Sequence, residues 1–424
     1  MNKNTSNILW MLIEKGILLI VELLVVTQIA KQLGVEDFGL LTLCLTVIAV
    51  LQPLFNFGLQ SLVVKECIEN SDSKRNQKIL LSNAIFLKLS ITLIFLLSLT
   101  FYHLTFEQNN EFLGYIICLL VAELFRSMVT LNSWFESRLE SKYNTITRVL
   151  AVSIASILKM VAIYNQSSID IYIYIYSFEI FMWGCLAYLF FNVKSGLNVK
   201  FGFVDKDKIK ELIKNGSPLV LSAFGAIIYI KSDVFIIGYL MDNHSVGIYS
   251  AATRFVEVLY VLPVIIVSSY FPNIIGHRGK DTEEKFTRNF LSILFYIGSS
   301  FSMLLVLLAP FLVDFLLGSA FVQSKTVLIY YSLTLPLVFL RAFLSKWIIS
   351  QGFYSVSLYT QLCGAISNIV INFILIPIWG LNGAIVATGL SMLMASVFSL
   401  YFLEKTRIMF KYIVCSPLYM LSRD

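Results

Sequence analysis

Charge is scarce in this 424-residue chain: 14% of its residues are Asp, Glu, Lys or Arg, against about a quarter in a soluble globular domain. Histidine is scarcer still, with three residues, His103, His244 and His277. All three fall in or beside loops, and no HExxH pair occurs. The six cysteines (Cys44, Cys67, Cys118, Cys185, Cys363, Cys415) form no CxxC and no metal-ligand spacing, so they read as small packing residues. There is no GxSxG elbow and no glycine-rich phosphate loop, and no local motif supports a Ser/His/Asp arrangement. Long polar stretches are missing too. The longest runs only from Val193 to Asn215, which leaves no room for an inserted soluble domain. These absences argue against an enzyme, a metal centre or a bound cofactor.

What the chain has in abundance is apolar sequence, 58% of it, with a mean hydropathy of +0.79. It falls into about twelve runs, each close to the roughly 20 residues that carry a helix across a bilayer core. They cover 8–30, 38–60, 79–102, 112–133, 146–164, 170–192, 216–239, 248–272, 289–317, 325–350, 357–377 and 381–403. The first follows MNKNTSN with no small-residue cleavage site, so it is expected to be a retained helix rather than a signal peptide. Ile169–Tyr176 alternates like a strand, but it opens a long apolar run at a boundary where Tyr anchors belong, which predicts a helix start.

The net charge of +6 is not a nucleic-acid signal, because the basic residues sort to one side. Lys3, the loops 61–78, 134–145, 193–215 and 273–288, and the tail hold nearly all loop Lys and Arg. The intervening loops contribute Lys31 and, at a helix edge, Lys325. Positive loops stay in the cytoplasm, so both termini are expected there; the uncharged loop 351–356 is the exception. The expectation is an all-α, multi-pass membrane protein. It has an N-terminal six-helix bundle (1–192), a cytoplasmic connection (193–215), a C-terminal six-helix bundle (216–403) and a cytoplasmic tail (404–424).

The halves echo each other. Gly34-Val-Glu-Asp-Phe-Gly39 leads into the second run and Asn243-His-Ser-Val-Gly247 into the eighth, with Pro53 and Pro263 following. Paired six-helix halves around a central pathway are a common transporter plan, although short bilayer loops often contain Gly and acidic residues in any case. Pro53, Pro218, Pro263, Pro310 and Pro336 lie inside the runs, where neighbouring helices can satisfy the backbone groups that proline frees.

Charges inside the runs are the features hydropathy does not explain. A charge at the bilayer centre costs at least about 2.5–3.5 kcal/mol on insertion scales, so most should face a hydrated interior or one another. Glu123 and Arg126 are three residues apart, as are Arg254 and Glu257, so each pair shares a helix face. Lys15 and Glu22 lie on one stripe, and Lys88 and Asp314 sit close enough to helix ends to snorkel. Ion pairs that hold helices in register explain some of these. The cations Lys231, Arg254, Arg341 and Arg126 are the candidates for contact with an anionic substrate, since Arg offers a bidentate fork to phosphate. Asp233, Glu257, Glu14 and Glu22 are the candidates for binding a coupling ion.

Several stretches also resemble the O-antigen and polysaccharide flippases (Wzx-type) of the multidrug/oligosaccharidyl-lipid/polysaccharide (MOP) superfamily. They are Gln28–Gly39, Trp134–Glu140, Gly216–Leu219, Ser232–Gly238, Val246–Ala252 and Ile376–Thr388, in the family's order over about residues 8 to 403. The loop motif departs from the family's Trp-Phe-Phe-Gln-Gly-like pattern at Glu136-Ser137. The resemblance implies a MATE-like fold, two six-helix bundles around a central cavity. It implies transfer of undecaprenyl-pyrophosphate-linked oligosaccharide from the cytoplasmic to the periplasmic leaflet of a bacterial inner membrane by alternating access, with H+ or Na+ coupling as a further expectation. A polysaccharide polymerase and chain-length machinery are then expected partners, beside the lipid bilayer and the lipid-linked cargo, and no nucleic acid. Two alternatives stand. A MATE-like drug or cation antiporter would share the architecture but rely on acidic and aromatic cavity residues. A polysaccharide polymerase would present a large external loop, which this sequence lacks.

Overall fold

The computed structural model describes residues 3–70, 73–197 and 204–417, and among them every regular element is a helix. In chain order these are α1 (Lys3–Asn56), α2 (Leu59–Glu69), α3 (Lys74–Phe106), α4 (Glu111–Arg126), α5 (Asn132–Ser137), α6 (Lys142–Tyr164), α7 (Ile169–Ser195), α8 (Lys206–Leu240) and α9 (Asn243–Glu257). Then come α10 (Val261–Ser269), α11 (Phe271–His277), α12 (Glu283–Leu312), α13 (Ser324–Ser332), α14 (Leu335–Ser350), α15 (Tyr354–Trp379), α16 (Leu381–Leu393), α17 (Ser399–Tyr401) and α18 (Arg407–Val414). The alternating Ile-Tyr stretch is the first turns of α7, as expected.

Among the described residues, nine helices are long and apolar enough to cross a bilayer, or eleven if each of two bent pairs counts as one crossing. The expected twelve is therefore not the count the helices return. The difference lies in Glu14–Glu69, which counts as one helix of 56 residues. At 1.5 Å per residue it would be about 84 Å long, nearly three bilayer cores, and its backbone leaves helical geometry at Gly34 (φ 79°, ψ 179°). Pro336 stands at the start of α14, where the α13–α14 pair bends by 44°. The expected connection over 193–215 is shorter than the sequence suggests, because α8 begins at Lys206.

The chain divides into two compact units. One comprises 1–33 and 40–224, the other 34–39 and 225–424. In the first unit, one apolar core joins Ile29, Leu41, Leu119, Ala155 and Tyr172. A second gathers Leu59, Leu81, Ile85, Trp134, Phe135, Phe191 and Leu212, with the Trp134 indole N–H donating to Gln77 Oε1 at 3.0 Å. In the second unit the core runs through Leu291, Phe339, Phe343, Leu344 and Trp347 to Met409, Tyr412 and Ile413 of α18. The tail is thus folded through residue 417, and Ser292 Oγ donates to the Ser416 carbonyl at 2.7 Å.

Outside these cores the surface is apolar. Leu97, Phe101 and Leu104 of α3 are all exposed at helical spacing on one face. A patch of that kind suits hydrocarbon rather than water.

Candidate functional site

The first unit holds a polar cleft of about 370 Å3, within the range of ligand-binding clefts. Helical spacing builds its walls. Gln52 and Asn56 lie one turn apart on α1, while Arg126, Thr130, Ser133 and Glu136 recur every three or four residues along α4, a short 3-10 segment (Ser127–Leu131) and α5. These positions share one face. Opposite them stand Lys88 of α3, Asn144 of α6 and Trp183 of α7, with Glu14 and Lys15 from α1.

One glycine sets much of this geometry. A Cβ on Gly184 would overlap the Phe125 carbonyl oxygen, so α7 and α4 approach at backbone contact. The neighbours of these two residues, Trp183 and Arg126, are thereby brought together, with the guanidinium carbon 5.2 Å from the indole centroid. Arg148 lies over the same ring at 4.4 Å. Such cation–π contacts hold a cation in place without neutralising it.

The charges of this unit fall into two groups. The first is a paired network. Glu179 accepts from Lys159 at 2.8 Å and contacts Arg148 at 3.3 Å, and Arg148 reaches Glu22 at 3.8 Å. The second lines the cleft. Arg126 Nη1 donates to Glu123 at 2.6 Å, and Glu123 also accepts from Gln52 at 3.3 Å. The ion pair expected from sequence spacing therefore forms, with Arg126 still on the cleft wall. Glu14 accepts from Thr145 at 3.1 Å, and Glu136 accepts from Gln60 at 3.0 Å and from Asn144 at 3.3 Å.

Lys88 corrects an expectation. It sits in the middle of α3, is 6% exposed and lines the cleft, so it does not snorkel. Among the described residues its ammonium makes no hydrogen bond or ion pair. Burying an unpaired cation is costly.

In the second unit, Asp233 is 3% exposed. It accepts from Tyr249 at 2.8 Å, Thr388 at 2.6 Å and Asn372 at 2.9 Å. Among the described residues no cation pairs with it. Lys231, two residues earlier, points elsewhere and meets Glu257 at 3.0 Å. The Arg254–Glu257 pairing allowed by spacing is thereby replaced, and among the described residues Arg254 has no side-chain partner. Arg341 donates to the Ala395 carbonyl at 2.7 Å and to Thr360 at 3.2 Å. It shares a small cavity of about 160 Å3 with Asp233, Tyr229 and Tyr331. Lys231 and Arg254 do not line that cavity. Of the eight candidate residues, Arg126 and Glu14 meet in one cleft, and Arg341 and Asp233 in another.

Residues 5–277 match the family described as polysaccharide biosynthesis protein. That is more than half of the chain. The chain belongs to the polysaccharide biosynthesis protein family. Among relatives of this family member, a "Putative O-antigen transporter" of Escherichia coli (strain K12) is 24% identical over 346 residues, 79% of this chain and 80% of that protein. A "Probable low-salt glycan biosynthesis flippase Agl15" of Haloferax volcanii is 25% identical over 397 residues, 89% of this chain and 79% of that protein. Two solved structures share the fold. The lipid II flippase MurJ in an inward closed conformation has a TM-score of 0.73 at 16% identity, covering 96% of this chain and 90% of that one. An inward-facing multidrug resistance MATE family transporter of the MOP superfamily has a TM-score of 0.68 at 16% identity, covering 94% and 95%.

These findings make this family member a multi-pass membrane protein with the fold shared by MurJ and the MATE transporter, and the relatives it resembles are named as transporters or flippases rather than enzymes. Sequence reasoning missed three cleft-side features. Arg148 was hidden at the start of its apolar run, Lys88 was assigned to a helix end, and Asn132 and Asn144 carry no charge to draw attention. The spacing of Arg126, Thr130, Ser133 and Glu136 was the available signal.

Proposed function

We propose that the protein moves an undecaprenyl-pyrophosphate-linked oligosaccharide across the inner membrane, from the cytoplasmic leaflet to the periplasmic one, by alternating access, with both termini cytoplasmic. The observation that carries this reading is Lys88, a buried lysine whose ammonium makes no hydrogen bond or ion pair among the described residues, in a polar cleft it shares with Arg126 and with several hydroxyls and amides. A pyrophosphate supplies the missing charge, and the Arg126 donors that Glu123 does not use add to the seat. The cleft's own carboxylates, Glu14 and Glu136, are each hydrogen-bonded, which favours an anionic cargo over a cationic drug. The apolar tail of such a lipid remains in hydrocarbon while its head enters the cleft.

Deleting the gene in its native host tests this directly. The expected result is loss of surface polymer, with intact lipid-linked repeat units accumulating on the cytoplasmic side. Wild type should restore export and Lys88→Met should not, at equal protein level. Surface display of single, unpolymerised units would instead identify a polymerase, and unchanged polysaccharide with altered drug sensitivity an antiporter.

Uphill transport needs coupling, and Asp233 is the residue for it. A buried carboxylate ringed by Tyr249, Thr388 and Asn372, with no cationic partner among the described residues, suits reversible binding of H+ or Na+. In reconstituted vesicles, transport should respond to one of these gradients in wild type and lose that response in Asp233→Asn. Transport that is independent of both ions in the wild type removes the coupling.

A further inference from the structure

The cleft of the first unit is graded. Lys88 and Arg126 mark one end. Ten residues along the wall from Arg126, roughly 15–20 Å at α-helical and 3-10 rises, Glu136 marks the other, two residues before Arg138 at the end of α5. Among the described residues no cation pairs with a side chain at that second end. It is walled by Gln60, Asn132, Glu136 and Asn144. Glu136 holds Gln60 and Asn144 in place, and Asn144 Nδ2 also donates to the Asn132 carbonyl at 3.1 Å.

Two carbonyl oxygens there are unsatisfied. Asn132 Oδ1 and Asn144 Oδ1 are buried without a hydrogen-bond partner, on residues that are 6% and 8% exposed. The Asn132 side-chain amide makes no hydrogen bond at all among the described residues. A buried amide oxygen left unpartnered is costly, and two of them at one end of a cleft describe a surface suited to a ligand rich in hydroxyls or N–H groups. Asn132 lines the cleft, and because its side chain makes no hydrogen bond among the described residues, turning its amide toward a ligand would break none.

We infer that this end is a sugar subsite: Asn132 and Asn144, braced by Glu136 and Gln60, receive the first sugar of the cargo. The inference rests on the pyrophosphate seat proposed above and adds the part of the protein that reads the glycan. A pyrophosphate at Lys88 and Arg126 directs the sugar bonded to it along the wall toward Asn132. Hydroxyl or acetamido N–H groups then donate to the two Asn oxygens. Amides suit this task because a site built to hydrogen-bond a ligand group discriminates strongly against ligands that lack it.

The test uses the full-length protein in nanodiscs and two probes, undecaprenyl pyrophosphate and undecaprenyl-pyrophosphoryl-N-acetylglucosamine. Wild type should bind the sugar-bearing lipid more tightly. Asn132→Leu, which breaks no side-chain hydrogen bond, should weaken binding of the sugar-bearing lipid about 10-fold and leave the bare pyrophosphate lipid unchanged. Asn132→Asp retains an acceptor oxygen at the same place and should keep much of the preference. Lys88→Met should weaken both probes together. If Asn132→Leu weakens both equally or neither, the sugar subsite is wrong while the pyrophosphate seat stands. If Lys88→Met weakens neither, the seat itself fails. Should Asn132→Leu fold poorly, the aspartate variant decides: a lost sugar preference in a well-folded Asn132→Asp protein overturns the inference.

Discussion

Gly39 lies against the backbone of Asn243, so close that a Cβ on it would overlap the Asn243 carbonyl oxygen. Gly247, one turn further along α9, stands in the same relation to the Val35 carbonyl. The two segments that echo each other in sequence, Gly34–Gly39 and Asn243–Gly247, therefore pack on each other, glycine against carbonyl in both directions. Phe38 extends the contact by an edge-on approach to Phe321 at 6.1 Å.

Neither glycine tolerates a methyl group without backbone movement. Gly39→Ala and Gly247→Ala should each cost about 1–3 kcal/mol, the range for overpacking a tight contact. Thermal unfolding of the purified protein measures this as a lower midpoint. The double variant should cost less than the two single costs added together, because the residues share one interface. Two unchanged midpoints would mean that the helices can part at no cost.

The charge network of the first unit gives an asymmetric expectation. Glu179 serves both Lys159 and Arg148, so Glu179→Gln strands Lys159 and leaves Arg148 only its 3.8 Å contact with Glu22, while Lys159→Met leaves Glu179 paired with Arg148. The glutamine variant should lose about 3–5 kcal/mol, as when a buried pair is broken from one side, and the methionine variant clearly less. Adding Lys159→Met to Glu179→Gln should recover part of the loss. Equal losses for the two single variants would show that Arg148 contributes nothing to holding Glu179.

The helical, membrane-spanning character was legible because apolar runs of bilayer length are a strong and local signal. The repeated glycine segments were legible as a pattern, but not as a contact, since nothing in spacing says which helix meets which. The candidate site was half legible. Arg126 and Asp233 stood out as charges in apolar sequence and proved to line clefts. Lys231 stood out equally, yet it is neutralised by Glu257 on another helix, a partner that only tertiary packing supplies. Lys88 was misplaced because distance from a helix end was used to judge depth, whereas the direction its side chain faces decides whether it snorkels or lines a cleft.

Asp242 offers a pH-dependent test outside the membrane spans. It caps α9, its carboxylate accepting from the Ser245 backbone N–H at 2.7 Å. That hydrogen bond holds its pKa below the ordinary value of 3.8. A carboxylate lowered on folding stabilises the fold fully above its unfolded pKa, and the contribution disappears as pH falls through the lower folded value. Asp242→Asn keeps a capping oxygen but does not titrate. The stability advantage of wild type over this variant should be constant near neutrality and shrink below about pH 4. Midpoints that stay parallel down to pH 3 would show that the carboxylate charge adds nothing to the cap.

The Lys231–Glu257 pair decides whether those two residues act on cargo or on each other. If their role is to join α8 and α9, the reversal Lys231→Glu with Glu257→Lys restores the attraction across the same gap. Export should then return to near the wild-type level although each single reversal abolishes it by setting like charges together. If Lys231 instead touches the anionic head of the cargo, the double reversal carries its positive charge on the wrong helix and stays inactive, even at full protein level. The 3.0 Å contact satisfies both groups, and both are only half-buried. Recovery in the double variant is therefore the expected outcome, measured as surface polysaccharide in the deletion host. That result would leave Arg254 and Arg341, neither of which has a carboxylate partner among the described residues, as the second-unit cations free to meet cargo.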